Sequence, residues 1–389
     1  MTCNGKRPVR LKTLHGEFYF ELQRYLEEGK SFNYFELTNQ MNQEYSSQRL
    51  QEYVSYYSNR MSYEEVEKLL KRNQGQQVLS DQSIWGIVTR EAEIVSEQIT
   101  QEVNQILANN PSEFLTANRK LDIYDPQQEE ILVFDDGIQV KGQKENRIRN
   151  SSTIEKYDQQ LEEEVDKANW LNTNIAILQT GPGKFEYLVA PLADEDKSRP
   201  QLAEVIKARI IQVYNPMTSP LNIVAITDGA REIRVRLLSI FAEGLVIILD
   251  WYHLGKKLRE LMSMIARNKQ EKSEHLKFLF YNLWRGETQK SLDYLNSQVK
   301  ARNPKKLEEL IGYLEKHQDE IINYQRRQQV GKSIGSGRME KGVDLVVGHR
   351  QKKKGMSWRS LGSRALAILK VVELNGQWQK IWFPNPSAN

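Results

Sequence analysis

Three acids in this 389-residue chain stand where carboxylates can meet. Asp136 follows the apolar run Ile131-Leu132-Val133-Phe134 and precedes Gly137. Asp228 closes a second apolar run, residues 221–226, and precedes Gly229. Glu340 lies near the start of a predicted helix that opens at Gly335-Ser336-Gly337. Carboxylates at strand ends can converge at one edge of a sheet, and a helix crossing that edge can bring a third. Three hard oxygen ligands suit Mg²⁺ or Mn²⁺, which keep waters and accept phosphate oxygens. Two such ions activate a nucleophile and stabilise the leaving oxygen in an in-line phosphoryl transfer. The blander reading is that Asp-Gly after a strand is a common turn. With 51 Asp and Glu in the chain, spacing alone favours coincidence.

The surroundings of Glu340 point to a polyanion. Residues 326–370 carry 12 Lys and Arg against two acids, Glu340 and Asp344, in a chain whose net charge is only +4. Arg338 and Lys341 flank the acid, and His349, Arg350, Lys352, Lys353 and Lys354 come after it. Such groups can grip phosphates, with an affinity that falls as salt rises. A solvated surface loop is the alternative for the three lysines. Asp250 and His253, just after the run Leu245-Val246-Ile247-Ile248-Leu249, form a further pair. In the plain reading Asp250 caps a helix and His253 is a satisfied polar residue beside the core.

The elements that must position these groups fall into three regions. Residues 1–130 read as mostly helical after a short start in which residues 14–20 could be a strand. Ser62-Tyr63-Glu64-Glu65 is a capping-box signature opening a helix with Val66, Leu69 and Leu70 on one face. After a break at Asn73-Gln74-Gly75, Ser80-Asp81 starts a second helix carrying Ile84, Ile87 and Val88. Two helices joined by a turn match a helix-turn-helix over about 62–98, or two members of an ordinary bundle.

Residues 131–253 change period. Ile175-Ala176-Ile177-Leu178 and residues 185–189 flank Gly181-Pro182-Gly183 and predict a hairpin. The runs at 221–226 and 245–249 are unbroken and apolar, as buried central strands should be. Arg231–Phe241 between them is helix-sized. Strand, helix, strand is α/β architecture with a partly parallel sheet. Residues 254–330 return to helical spacing, with Leu307, Leu310, Ile311 and Leu314 on one stripe and Leu254, Leu258, Leu261 and Ile265 on another. Residues 361–374 predict one more helix.

Composition sets the outer bounds. Hydrophobic content of 39%, charged content of 27% and a mean hydropathy of −0.64 describe a globular chain with a polar surface, long enough for two or three domains. No apolar run approaches the roughly 18 residues of a spanning helix. The N-terminus lacks the apolar core of a signal peptide. Cys3 is the only cysteine, which excludes an internal disulfide framework and a cysteine-rich zinc site. The expectation is a cytoplasmic protein with no membrane partner.

Taken in order, Phe134-Asp135-Asp136-Gly137, Ile226-Thr227-Asp228-Gly229-Ala230, Leu249-Asp250-Trp251-Tyr252-His253 and Gly335-Ser336-Gly337-Arg338-Met339-Glu340 form a set. Val347-Gly348-His349-Arg350 and Gly355-Met356-Ser357-Trp358 complete it. The set resembles the bacterial insertion-sequence transposases of the ISKra type, relatives of the eukaryotic Mutator-like transposases, over residues 131–382. That resemblance implies an RNase H-like core, a mixed sheet flanked by helices, made of 131–253 and 331–382. It implies Asp136, Asp228 and Glu340 as catalytic, metal-binding residues for two Mg²⁺ or Mn²⁺ ions, and 254–330 as a helical insertion before the catalytic Glu. Asp135 and Asp136 alternate faces on a strand, so only one enters the site; the family's Asp-Gly pairing favours Asp136. Asp250 and His253 resemble the family's Cys-or-Asp, two residues, His element, which implies that His253 contacts DNA or supports the second metal ligand.

The implied activity is metal-dependent cleavage and strand transfer on double-stranded DNA, at terminal inverted repeats and in target DNA, by a homo-oligomer. The competing readings are an RNase H-like nuclease without strand transfer and a non-catalytic DNA-binding protein from a decayed element. The N-terminus departs from the family. Residues 7–17 resemble its basic Gly-Glu segment, but the usual cysteine pairs are reduced to Cys3. Trp284 could stack on an unpaired base near a cut end, although an aromatic on a helical face is more often core.

Overall fold

In the computed structural model the described residues are 2–33, 45–110, 114, 121–143, 170–193, 198–215 and 220–383. Long antiparallel strands open the chain: β1 (Thr2–Thr13), β2 (Gly16–Glu27) and β3 (Lys30–Asn33) form a three-stranded sheet in that order. This departs from the mostly helical expectation for residues 1–130. The strands are largely exposed on both faces, so no period-2 apolar pattern betrays them.

Three helices come next, α1 (Gln48–Ser58), α2 (Tyr63–Gln74) and α3 (Asp81–Ala108). The capping box forms as the sequence predicts: Ser62 Oγ accepts the Glu65 N–H at 3.2 Å, and Glu65 returns an acceptor to the Ser62 N–H at 2.7 Å. The second helix of the expected helix-turn-helix is 28 residues long, and Ile84, Ile87, Val88, Ala92 and Val95 bury its inner face. It packs along a C-terminal helix, α12 (Ser360–Leu374), and shares one hydrophobic cluster with the central sheet. The core of these helices is continuous with that of the sheet.

The central sheet has five strands, β4 (Ile131–Lys141), β5 (Trp170–Gly181), β6 (Lys184–Val189), β7 (Ile223–Thr227) and β8 (Leu245–Leu249), in the order β6-β5-β4-β7-β8. β4, β7 and β8 are parallel neighbours, and β5 pairs antiparallel with both β4 and β6. Every residue of β7 is buried, which explains its unbroken apolar run. Alternate side chains divide between two cores. Val133, Ala176, Leu178 and Ala225 face α4 (Leu202–Tyr214) and α5 (Arg231–Phe241). Phe134, Ile175, Ile177 and Ile226 face the larger cluster that includes α3 and α12. Each of the larger side chains contributes about 1.5–3 kcal/mol when fully buried.

Between β8 and the Glu340 segment lie only helices and their connections: α6 (Trp251–Ile265), α7 (Lys269–Leu283), α8 (Thr288–Gln298), α9 (Pro304–Lys316) and α10 (Tyr324–Gln329). Asn268, Asn303 and Asn323 cap three of them, and Pro304 occupies a first-turn position where its missing N–H costs nothing. The chain then returns to the sheet. Leu249 donates its N–H to Glu320 O at 3.0 Å, and Trp251 donates to Ile334 O at 3.2 Å. Glu340 lies in α11 (Gly337–Val343), which packs on β4 and β5. A Cβ at Gly342 would come within 2.6 Å of Ile177, so glycine permits this close approach of helix to sheet. α13 (Trp378–Trp382) ends the described chain. No described helix is long and apolar enough to cross a membrane.

Candidate active site

Adjacent parallel strands bring the first two acids together. β4 and β7 pair with Phe134 opposite Ile226, so Asp136, still within β4, and Asp228, just past β7, stand at equivalent positions two residues further on. Neighbouring strands lie roughly 4.8 Å apart. Asp135 takes the other face. It is 1% exposed, and Arg236 grips it through Nε at 2.7 Å and Nη2 at 3.1 Å. Burial pushes Asp135 up to about 6 while the guanidinium opposes the rise, so the pair is ionised at neutral pH. Asp136, of opposite parity, shares the face of Phe134 and Ile226.

Asp136 Oδ1 accepts the Gly137 N–H at 2.7 Å, and Asp228 Oδ1 accepts the Ala230 N–H at 2.8 Å. Burial raises the Asp136 pKa, and the Gly137 hydrogen bond opposes it. The charges of Asp228 and Glu340 add to the rise, while His253 counters them. These four groups thus share one electrostatic neighbourhood. The backbone turns sharply after Asp228. Gly229 sits at φ +87°, and a Cβ there would lie 2.8 Å from His317 Cε1.

Asp250 organises the opposite wall. Its Oδ1 accepts the His253 N–H at 2.8 Å and caps α6, and its Oδ2 accepts the Ser336 N–H. It is 1% exposed. Burial alone would raise its pKa, but the hydrogen bonds from His253 and Ser336 outweigh burial and lower it to about 2. His253 Nδ1 lies 3.4 Å from Asp250 Oδ1, an ion-pair distance with no well-formed hydrogen bond. Its pKa is raised by Asp250 first, with burial opposing and Asp228 and Glu340 adding. His253 Nε2 reaches Glu340 Oε1 at 4.0 Å. Asp250 is thus a helix cap and also the anchor of the segment that carries Glu340.

Among the described residues, no three Asp, Glu, His or Cys side chains are grouped tightly enough to enclose a single ion. Like charges repel, and among the described residues neither Asp136 nor Asp228 has a Lys or Arg partner to draw them in. The Glu340 side chain is 60% exposed and unconfined. The chemistry of the donor set nonetheless suits a hard divalent cation, since Asp136, Asp228 and Glu340 are oxygen ligands in one neighbourhood.

The expected DNA-gripping residues divide. Lys352, Lys353 and Lys354 are exposed, and Lys353 Nζ donates to Arg60 O at 3.3 Å. Arg338 is exposed, with its guanidinium 3.8 Å from the centre of the Phe185 ring. His349 is exposed and paired with Asp344 at 2.7 Å. Arg350 differs from the others in being buried. It is 4% exposed, its Nε donates to Ser58 O at 2.7 Å, and it lies over Trp358 at 4.7 Å. The guanidinium is therefore held in the fold, where the neighbouring lysines stand free of it. Trp284 joins a cluster with Trp251, at 4.7 Å between ring centres, and Tyr324, at 6.2 Å, which is the core alternative for that residue.

No protein-family model matches this chain, and no curated protein matches it. The site therefore rests on its own geometry.

Three neighbours were not foreseen from sequence. His317 and Glu320 are 1% and 4% exposed, pair at 2.6 Å, and stand behind Gly229. Arg234 adds a 2.6 Å bond to Glu320. Their three-residue spacing near the end of α9 is the one available signal, and a solvated helix end shows the same spacing.

Proposed function

We propose that the chain is a DDE transposase with an RNase H-like core, cutting and rejoining DNA at the terminal inverted repeats of its own insertion sequence. The observation that carries this reading is the placement of Asp136, within β4, and Asp228, just past β7, at equivalent positions of adjacent parallel strands, in one electrostatic neighbourhood with Glu340 and His253. Two further features support it. The mixed sheet has β5 as its one strand running against the other four. A wholly helical segment, α6 to α10, separates Asp228 from Glu340.

Asp136, Asp228 and Glu340 would hold two Mg²⁺ or Mn²⁺ ions, which when bound supply an activated water and neutralise charge on the scissile phosphate. Asp250 holds the Ser336 amide and so sets where α11 begins. His253, kept charged to higher pH by Asp250, sits beside Glu340 as a positioning group. Lys352, Lys353, Lys354, His349 and Arg338 offer exposed donors to the DNA backbone. Holding two DNA ends together calls for more than one copy of the chain.

The open spacing of the three carboxylates favours a second reading, a DNA-binding protein that performs no chemistry. One assay separates the readings. A supercoiled plasmid carrying the element's ends is incubated with protein and Mg²⁺. Excised fragment and insertion products support the transposase, nicks alone indicate a nuclease without strand transfer, and retarded DNA without cutting indicates the binder.

A further inference from the structure

A second cleft, of about 450 Å³, opens between the starts of α2 and α3 and the loop before α12. Its lining is rich in donors. Arg350 is almost wholly buried there and has no carboxylate at ion-pair distance among the described residues. Its Nε donates to Ser58 O and its Nη1 lies 3.2 Å from Met356 Sδ, so the guanidinium is positioned by neutral partners and an anion would supply its counter-charge. Beside it, the Tyr63 hydroxyl is shielded from solvent and has no hydrogen-bond partner. The Trp85 indole N–H lies against the first turn of α12 and can donate but not accept. Arg359 lines the rim, its Nε 3.3 Å from Gln143 Oε1.

The backbone adds to this field. α12 is 15 residues long, and no side chain caps its start, so its first N–H groups keep their positive end. Asp81 is the one acid in the lining. α2, by contrast, is closed by its capping box, which leaves α12 as the uncapped terminus at this cleft.

We infer that this cleft binds a phosphate group, held by Arg350, Arg359, the Trp85 indole and the start of α12. The exposed Lys352, Lys353 and Lys354 come soon after Arg350 in the chain, which fits a phosphate of the DNA backbone; free inorganic phosphate carries the same chemistry. The DNA source alone rests on the proposed function, and the test reads binding, so it can fail while cutting succeeds.

The full chain is compared with Arg359→Gln and Trp85→Phe, both placed to remove a donor without emptying the core. Tyr63→Phe tests the buried hydroxyl. In the first arm, inorganic phosphate is added against chloride at equal ionic strength, and melting is followed. In the second, anisotropy of a labelled DNA duplex is measured across a salt series. A backbone phosphate predicts that Arg359→Gln lowers the slope of log affinity against log salt by about 1. Free phosphate predicts a stabilisation specific to phosphate that both donor variants weaken, with DNA affinity unchanged. The inference is overturned if neither arm distinguishes the variants from the parent, whatever the parent itself binds.

Discussion

The carboxylate of Asp250 accepts the backbone N–H of Ser336, 86 residues further along the chain. Through this bond the start of α6 is tied to the loop that launches α11, and with it Glu340. The same carboxylate caps α6 through the His253 N–H. One buried acid therefore joins the sheet end, the helical segment and the third candidate ligand.

Acid stability should report this bond. The Asp250 pKa is lowered to about 2 in the folded chain, against 3.8 without these contacts. A depressed carboxylate contributes stability that is present above pH 3.8 and lost as pH falls through about 2. The difference corresponds to about 2 kcal/mol. Asp250→Asn should lower the melting temperature at pH 7 and flatten its dependence on pH below 4. An unchanged acid limb in that variant would mean that Asp250 does not anchor the loop.

Asp135 and Asp136 should fail in opposite ways. Asp135→Ala leaves the Arg236 guanidinium without its partner under the sheet, and breaking a buried pair costs about 3 kcal/mol or more. Asp136→Ala removes repulsion from the site and should leave melting unchanged or slightly raised, while abolishing DNA cutting. Thermal melts and plasmid cleavage on the two purified variants check both halves. A stable, active Asp136→Ala would exchange the roles assigned to the two aspartates.

Gly229→Ala should be costly for its size. The residue holds φ +87°, and an added methyl would meet His317 Cε1 at 2.8 Å and Leu249 Cδ1 at 3.0 Å. Strain and overlap together predict a loss of roughly 2 kcal/mol in urea unfolding. The displaced turn should also reduce cutting, since Asp228 is the preceding residue. A melt equal to the parent's would show that the turn relaxes freely.

Much of the sheet was legible because burial leaves a one-dimensional trace. The runs at β7 and β8, the hairpin of β5 and β6, and the helix Arg231–Phe241 are marked by unbroken apolar stretches and turn residues. β1 and β2 left no such trace, because their side chains meet solvent on both faces. At the site, sequence order nominated the acids, and strand parity then separated Asp136 from Asp135. The burial of Arg350 was not legible, because its lysine-rich neighbours share its charge while the contacts that bury it include Ser58, distant in sequence, and Trp358 beyond the lysines. His317 and Glu320 were invisible for a similar reason: their partners, Gly229 and Arg234, lie across the helical segment.

The central claim is that Asp136, Asp228 and Glu340 act as one metal site. Mn²⁺ titration followed by electron paramagnetic resonance reads this directly, in the parent chain and in Asp136→Ala, Asp228→Ala and Glu340→Gln. The account predicts that the parent binds Mn²⁺ and that each variant loses affinity by about tenfold or more while keeping the parent's circular dichroism. Equal Mn²⁺ binding by all four proteins, or none by the folded parent with DNA present, would contradict it.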